Sequence, residues 1–346
     1  MAADLQPVTP AAFSDLMTTS FPCLPLKGES LAVGVSGGPD SMALCYLLSL
    51  WMRERKSKAV LHALSVDHGL RKESGAEVRK VGRWLKDWPG VRHHILTWKP
   101  KQAVSSRVQE QARDARYALM AKSLRRHNIK RLFVAHHLDD QAETVLFRLT
   151  RGTGLDGLAG MTAEQAFSNG LILCRPLLSV AKAALVQTCR AYDIPFLLDP
   201  SNESDQFTRG RMRRSMEALR GEGLTAERLG LTARRLARAK DALNDMAKKV
   251  FTEGCLENKT SRIVFSMDVL SSVPEEVGIR VLLKMMGLLH PPDPYGPRLE
   301  RVEALFSDLV KPGRFRKRTL HKIVFARDDR AKRLILSPER SGDGKT

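Results

Sequence analysis

The segment that most constrains this chain is residues 31–41, LAVGVSGGPDS, where an apolar run opens into a glycine-rich turn. A helix-compatible stretch, MALCYLLSLW, follows directly. Two glycines without Cβ atoms let backbone N–H groups approach a polyanion, and the start of the next helix adds free N–H groups and its dipole. The strand, turn and helix therefore predict a phosphate-binding loop at residues 36–41.

The residues of this loop distinguish it from the common nucleotide motifs. It matches neither G-x-x-x-x-G-K-[ST] nor the dinucleotide pattern G-x-G-x-x-G. Asp40 has the wrong charge to contact phosphate directly, but it suits a metal ion that bridges phosphates. We therefore predict that Asp40 binds Mg²⁺. The predicted nucleotide-binding residues of the loop are Ser36, Gly37, Gly38, Pro39, Asp40 and Ser41.

Strand-like and helix-like segments alternate along residues 31–200, which predicts an α/β domain with a doubly wound parallel sheet. In such a sheet, ligands bind at the carboxyl ends of the strands. Residues 151–170 are Gly-rich and are predicted to form a mobile loop. The predicted strands are 31–35, 59–66, 91–96 and 130–135, and the predicted helices are about 41–55, 73–87, 105–127 and 138–150; residues 171–200 add one more strand and helix.

The character of the chain changes after residue 201, where basic residues and leucines at helical spacing predict helices. Further helices are predicted near 273–288 and 297–310, with short strands at 262–266, 319–325 and 333–337. We therefore divide the chain into an N-terminal lead-in (1–29), a sheet domain (30–205), a mainly helical basic domain (206–338) and a disordered tail (339–346).

The formal net charge of +19 favours a polyanionic partner. Basic residues cluster at 207–220 and at 311–322, KPGRFRKRTLHK, a segment without acidic residues. Aromatic residues make up only 6% of the chain, so phosphate contacts to a folded RNA are favoured over base stacking. The residues predicted to contact RNA are Arg209, Arg211, Arg213, Arg316, Lys317 and Arg318.

The five cysteines include no C-x-x-C pair, which predicts reduced thiols in the cytoplasm and offers no zinc or iron–sulfur spacing. No apolar run approaches the roughly 20 residues of a membrane span. Residues 1–10 lack the pattern of a secretory signal. We therefore expect a cytoplasmic protein with no membrane partner, and the sequence does not distinguish a monomer from a homodimer.

Two further segments contain side chains that suit a nucleotide site. The segment VDHGLR ends the second predicted strand, so Asp67, His68 and Arg71 are expected beside the first loop. Arg113 and Arg116 share a face of the long helix, and Arg113 is the candidate phosphate clamp. Both segments also have ordinary interpretations, namely a common strand-exit turn and a solvated helix with internal ion pairs.

The segment HHLDDQAET, residues 136–144, follows the fourth predicted strand at the start of a helix. Asp140 and Glu143 are three residues apart and share a face, where they suit Mg²⁺ or an ammonium group. His137 suits a donor to phosphate or a group that orients a carboxylate. Asp139 is predicted to contribute to the helix N-cap. Since H-E-x-x-H is absent, zinc is not expected in this segment.

Taken in order, SGGPDS, VDHGLR, QEQARDARY, HHLDDQAET, RGTGLDGL, RPLL and DPSN resemble the tRNA(Ile)-lysidine synthetases, which are ATP-pyrophosphatase (PP-loop) enzymes. The resemblance covers roughly residues 30–215 and implies an adenine nucleotide α-hydrolase-like fold. It implies that ATP adenylates C2 of the wobble cytidine in an isoleucine tRNA with a CAU anticodon, and that free L-lysine then displaces AMP. The implied cofactors are ATP and Mg²⁺.

The resemblance also implies roles for the residues. Asp40 would hold Mg²⁺ with Asp140 as the candidate second ligand, while Asp140 and Glu143 would bind the lysine ammonium and help deprotonate its nitrogen. One departure is Gly210, which replaces asparagine in the family pattern R-N-R-[IL]-R, so an amide contact is in doubt. The candidate catalytic residues are Asp40, Arg113, His137, Asp140 and Glu143.

Three alternatives differ in chemistry. PP-loop enzymes that thiolate tRNA commonly need a catalytic cysteine pair or an iron–sulfur C-x-x-C, and neither occurs here. Amidating synthetases usually carry a glutaminase domain or a less basic surface. A non-catalytic RNA-binding protein would have no use for Asp40 and the carboxylates of HHLDDQAET, and it would give no ATP–pyrophosphate exchange.

Overall fold

The computed structural model describes residues 6–24, 28–55, 59–67, 69, 73–98, 108–167, 170–198, 216, 218–290 and 296–339. The chain forms two compact units, the first containing residues 1–153 and 157–233 and the second containing residues 154–156 and 234–346. The predicted domain boundary at 205/206 and residues 340–346 of the predicted tail lie outside the described residues.

The first unit contains a six-stranded sheet in the order β3-β2-β1-β4-β6-β5. All neighbouring strands run parallel except β5, which pairs antiparallel with β6 at the edge. The predicted parallel sheet is confirmed, whereas β5 and a short helix lie in the predicted loop 151–170. The strands are β1 Leu31–Gly34, β2 Leu61–Asp67, β3 Val91–Thr97, β4 Arg131–Phe133, β5 Glu164–Ala166 and β6 Ile172–Cys174.

Helices cover both faces of this sheet. Alternate residues of β1 enter different apolar clusters, with Leu31 and Val33 in one and Ala32 in the other, as the two-residue period of a strand requires. Helix α2 packs against both α1 and α7 and is apolar over most of its surface for that reason. The helices are α1 Pro10–Ser20, α2 Pro39–Glu54, α3 Ser74–Leu85, α4 Val108–Arg126, α5 Leu138–Leu149, α6 Leu155–Leu158 and α7 Lys182–Ala191.

The second unit contains an antiparallel five-stranded sheet in the order β7-β8-β11-β10-β9. Its core joins sheet residues such as Phe265 and Phe325 to Leu282 and Phe306 on helices. The helices are α8 Ala226–Gly254, which begins in the first unit, α9 Met267–Ser272, α10 Glu275–Leu289 and α11 Leu299–Val310; the strands are β7 Cys255–Lys259, β8 Arg262–Ser266, β9 Arg318–Leu320, β10 Ile323–Asp328 and β11 Arg333–Pro338. The second unit therefore contains the predicted helices together with a five-stranded sheet.

The prediction of one strand at 319–325 is wrong, because a tight turn divides it into β9 and β10. His321 and Lys322 have φ angles of 50° and 60°, the left-handed values that a two-residue hairpin requires. Neither residue is a usual turn former, so the sequence carries no Asn-Gly or Asp-Gly signal at this position. Among the described residues, no helix is long and apolar enough to cross a membrane.

Candidate active site

The predicted phosphate-binding loop connects β1 to α2 at the carboxyl edge of the first sheet. Ser41 organises the loop, since its hydroxyl donates to the Gly38 carbonyl at 3.1 Å and accepts from the Ser36 amide at 3.1 Å. Helix α2 begins at Pro39, a position at which the missing N–H costs nothing. The remaining amides of its first turn have no acceptor within the helix and are available to an anion.

Glycine is required at position 37 for two reasons. Its φ is +91°, and a Cβ here would lie 2.8 Å from side-chain carbons of both Val81 and Leu197. The Gly37 carbonyl also accepts a hydrogen bond from the Leu197 amide at 2.8 Å. The segment that follows α7 therefore supports the phosphate-binding loop directly.

His137 lies among three carboxylates at this edge. Its Nε2 is 3.7 Å from Asp40 Oδ2 and 3.4 Å from Asp140 Oδ2, and its Nδ1 is 3.5 Å from Asp139 Oδ2. The His137 backbone amide donates to Asp140 Oδ2 at 3.1 Å. The parallel sheet thus brings the β1 loop and the start of α5 together, which the sequence predicted for Asp40, His137 and Asp140.

The electrostatics of this group favour a charged imidazole. Burial by itself lowers the pKa of His137, but the carboxylates of Asp139, Asp40 and Asp140 outweigh burial and raise that pKa to about 10. Burial by itself raises the pKa of Asp139, but His137 and the Lys182 amide lower it to about 2. Near neutral pH the His137 side chain is therefore a cationic hydrogen-bond donor rather than a general base.

The predicted role of Asp139 as a cap of its own helix is wrong. The N-cap of α5 is His137, and Asp139 Oδ2 instead accepts from the Lys182 amide at 2.9 Å. Lys182 is the first residue of α7, so Asp139 satisfies an unpaired N–H group at the start of that helix. The carboxylate thereby links the starts of α5 and α7.

Asp40 and Asp140 fit a hard divalent cation. The Oδ1 atom of Asp40 is buried and has no hydrogen-bond partner within the described part of the chain. A buried carboxylate oxygen without a partner is costly, and a cation at this position would offset that cost. The two side chains approach the same His137 nitrogen, and carboxylate oxygens are the protein ligands that Mg²⁺ prefers. The donor set therefore suits the predicted Mg²⁺ ion.

The following segment, residues 151–161, is bound to α5. Arg148 donates to the Gly157 and Gly160 carbonyls at 2.7 and 2.9 Å, and the buried Gln141 side chain exchanges two hydrogen bonds with the Met161 backbone. Glu143, one turn beyond Asp140, is 8% exposed. This burial places Glu143 in a low-dielectric environment beside the carboxylate group, where an ammonium ion is a suitable partner.

The second strand exit is only partly described. Asp67 ends β2 and accepts from the Ser74 hydroxyl at 2.6 Å and from the Gly69 amide at 3.0 Å. These bonds indicate that Asp67 shapes the turn. His68 and Arg71 lie outside the described residues. Arg113 lies on α4, and its side chain is outside the described part of the structure.

Only some of the predicted RNA-contact residues lie in the described part of the chain. Arg209, Arg211 and Arg213 lie outside the described residues. In the second unit, Arg316 and Lys317 are exposed, and Arg318 forms an ion pair with Asp308 at 2.5 Å.

Arg327 holds the loop that precedes this segment. Its guanidinium donates to the carbonyls of Leu309, Lys311 and Gly313, at 2.6 and 3.1 Å for the first two. The same loop contributes Lys311 and Arg314 to the lining of a cavity of about 450 Å³ in the second unit. None of the catalytic candidates lines this cavity.

Sequence reasoning missed several residues that support the site. Gln141, Arg148 and Lys182 act through hydrogen bonds to backbone atoms, and such contacts leave no motif. Arg175 of RPLL is buried and donates to His136 Nδ1 at 3.2 Å and to Gln165 at 2.7 Å. An arginine directly after the apolar segment LILC was the available sequence signal for Arg175.

The positions of the cysteines bear on the thiolase alternative. All five are free thiols, and no three of them lie together within the described residues, which include every cysteine. Burial raises the pKa of Cys174 and of Cys189 to about 12, and burial raises the pKa of Cys45 further. Thiols with raised pKa values are poor nucleophiles, which disfavours the thiolase alternative.

Known proteins are similar to this chain in sequence and in fold. The PP-loop domain family matches residues 13–219. A tRNA(Ile)-lysidine synthase of Rhodopseudomonas palustris is 38% identical over 300 residues, covering 85% of this chain and 84% of that protein. The enzyme of the same name from Methylobacterium nodulans is 41% identical, covering 83% of each chain. One from the Wolbachia of Brugia malayi is 35% identical over 82% of this chain, which spans 65% of that relative's length.

A solved structure shows the same fold at low identity. The U34-tRNA thiolase of Methanococcus maripaludis, determined with its [4Fe-4S] cluster, superposes with a TM-score of 0.54 at 16% identity. The match covers 66% of this chain and 78% of the thiolase. At this identity the similarity supports the fold and carries no information about the reaction.

Proposed function

This chain belongs to the tRNA(Ile)-lysidine synthase family of PP-loop proteins, and from that premise we propose that it ligates lysine to a tRNA at the cost of ATP. The proposed acceptor is C2 of the wobble cytidine in an isoleucine tRNA with a CAU anticodon. The observation that carries the proposal is the position of His137 between Asp40 and Asp140 beside the phosphate-binding loop.

In the first step, cytosine O2 attacks the α-phosphorus of ATP and pyrophosphate leaves. The loop amides and the Ser36 hydroxyl suit the phosphates, because preorganised donors stabilise charge as it develops, and Ser41 holds the loop in shape. His137 suits a donor to the same phosphates, because it lies between Asp40 and Asp140 beside the loop. A bound Mg²⁺, held by Asp40 and Asp140, would supply charge neutralisation for the leaving pyrophosphate.

In the second step, an amine nitrogen of lysine forms a bond to C2, and the bond from C2 to the oxygen of AMP breaks. The nitrogen loses a proton, which a carboxylate can accept when it is close to the amine. Glu143 and Asp140 are the proposed carboxylates for ammonium binding and proton acceptance. Their spacing on α5 supports this role, because residues three apart share a face of a helix and Glu143 therefore lies on the same face as Asp140.

Outside the sheet domain, the basic residues are proposed to bind tRNA phosphates. Arg316 and Lys317 are exposed, and the backbone before them is fixed by Arg327, which reduces the entropy lost on binding. Arg209, Arg211 and Arg213 remain part of the proposal on sequence grounds. The five free thiols are consistent with a reducing cytoplasm, where we propose that the protein acts on its tRNA.

We expect neutralisation of Arg316, Lys317 and Arg318 to flatten the salt dependence of tRNA binding by about two to three units in the log–log slope, since each phosphate contact contributes about 0.7–0.9. Arg318 should contribute least, because Asp308 already pairs with it. The measurement is filter binding of CAU-anticodon tRNA across a series of salt concentrations.

A Lys259→Gln/Lys332→Gln variant is the matched control, because both lysines are exposed cations of the second unit that pair with acidic residues. This control loses two positive charges, the same number as an Arg316→Gln/Lys317→Gln variant. Its slope should change by less than one unit. Equal slopes for the wild type and the triple variant would remove residues 316–318 from the RNA interface.

The proposed activity is tested by supplying CAU-anticodon isoleucine tRNA, ATP and labelled lysine to the purified chain. We expect label in the RNA together with stoichiometric AMP and pyrophosphate. A chain that binds the tRNA but gives neither labelled RNA nor AMP would be an RNA-binding protein rather than a ligase.

A further inference from the structure

Three histidines meet in the first unit, away from the proposed active site. His62 is the second residue of β2, His94 lies in β3, and His127 directly follows the last residue of α4. His62 is in register with Arg92, so His62 and His94 share the face of the sheet that α4 covers. His93, the neighbour of His94, points to the opposite face and contacts Ser65.

The three rings are close enough to share a ligand. His62 Nδ1 and His94 Nε2 are 2.9 Å apart, and their rings stack with centroids at 5.0 Å. The His127 ring lies 4.5 Å from the His62 ring and 4.9 Å from the His94 ring. One nitrogen from each residue falls within 4.8 Å of the other two. Within the described part of the chain, this is the group of three histidine, cysteine or acidic residues whose ligand atoms all lie that close together.

Burial favours the neutral form of two of these imidazoles, those of His62 and His94. Burial, reinforced by His127, His94 and Arg92, lowers the pKa of His62 to about 4. Burial, with His127 and Arg92, also lowers the pKa of His94. Neutral imidazole is the form that coordinates metals. Arg92 opposes a cation here, but its guanidinium is exposed and is screened by solvent.

We propose that His62, His94 and His127 form a binding site for a divalent first-row transition metal, with Zn²⁺ as its occupant. Imidazole nitrogen is a preferred ligand of this class of ion. A tetrahedral Zn²⁺ with bonds of about 2.0–2.1 Å places its ligand atoms about 3.3 Å apart. The His62 and His94 nitrogens are 2.9 Å apart, close to that value, and the His127 side chain is exposed and has room to adjust.

The place of the cluster in the fold assigns the ion a structural role. His62 lies at the beginning of β2, whereas Asp67 lies at its carboxyl end, where the proposed nucleotide site is found. An ion bound by His62, His94 and His127 would tie β2 and β3 to the end of α4. Because such an ion binds only the native arrangement, it should stabilise the first unit by an amount that grows with the logarithm of its free concentration.

The test uses untagged full-length protein that has been stripped of metal with a chelator and then dialysed. We expect one Zn²⁺ per chain by equilibrium dialysis, and an intense visible spectrum with Co²⁺ that reports tetrahedral nitrogen ligands. His127→Gln removes an exposed ligand with little effect on folding and should weaken Zn²⁺ binding at least about tenfold. His94→Gln should do the same.

Two controls locate the ion. His290→Gln alters the other histidine pair, with His321 at 5.5 Å, and should leave Zn²⁺ binding unchanged. Asp40→Asn should also leave it unchanged, which separates the histidine cluster from the carboxylates of the nucleotide site. The proposal is overturned when the wild type binds no Zn²⁺, or when His127→Gln and His94→Gln retain both wild-type affinity and the Co²⁺ spectrum.

Discussion

Asp40→Asn should abolish tRNA adenylation while leaving the fold intact. The substitution keeps the shape of the side chain but removes the charge of the buried oxygen that lacks a partner, so the site loses its proposed Mg²⁺ ligand. Loss of one preorganised electrostatic group typically costs about 10²–10³ in rate. The measurement is tRNA-dependent release of AMP and pyrophosphate at saturating ATP, with thermal unfolding recorded in parallel.

Asp87→Asn is the matched control, because Asp87 is an exposed carboxylate in the same unit. It should retain wild-type AMP release, which shows that the effect of Asp40→Asn does not follow from a change of net charge. Wild-type rates in Asp40→Asn across a range of Mg²⁺ concentrations would refute the metal role of this residue.

Glu143→Gln should impair the use of lysine more than the use of ATP. A charge-assisted hydrogen bond contributes about 1.5–3 kcal/mol, so the KM for lysine should rise by about ten- to a hundredfold while the KM for ATP changes little. The neutral side chain is nearly isosteric, which matters because Glu143 is buried. The measurement is steady-state lysine incorporation into tRNA with each substrate varied in turn.

Asp140→Asn tests whether Asp140 serves the nucleotide site as well as the lysine site. Asp140 also accepts from the His137 amide and approaches the His137 ring, so this variant should affect both substrates. Glu54→Gln, at an exposed position near the end of α2, should change neither. Equal losses for lysine and ATP in Glu143→Gln would contradict a lysine site at this residue.

The sequence predicted the features that depend on neighbouring residues and on sheet topology. The phosphate-binding loop was recognisable because the strand, the glycines and the helix are contiguous. The meeting of Asp40 with His137 and Asp140 followed from the rule that parallel strands present their carboxyl ends at one edge. Both arguments need only the order of the elements.

Contacts between distant residues escaped prediction. Asp139 caps α7 across 43 residues of chain, so its own helix suggested the wrong partner. The His62–His94 contact spans 32 residues and depends on the register of β2 against β3, which no spacing rule encodes. The β9–β10 turn has left-handed φ values at His321 and Lys322, residues that seldom indicate a turn. In each case tertiary packing decided the outcome rather than local preference.

The most direct test of the account is lysine incorporation into two tRNAs that differ only at the wobble position. The purified chain, ATP, Mg²⁺ and labelled lysine are incubated with isoleucine tRNA bearing either a CAU or a UAU anticodon. The account predicts label in the CAU tRNA alone, with one AMP and one pyrophosphate released per lysine attached. Equal labelling of both tRNAs, or AMP release without lysine attachment in the presence of saturating lysine, would contradict it.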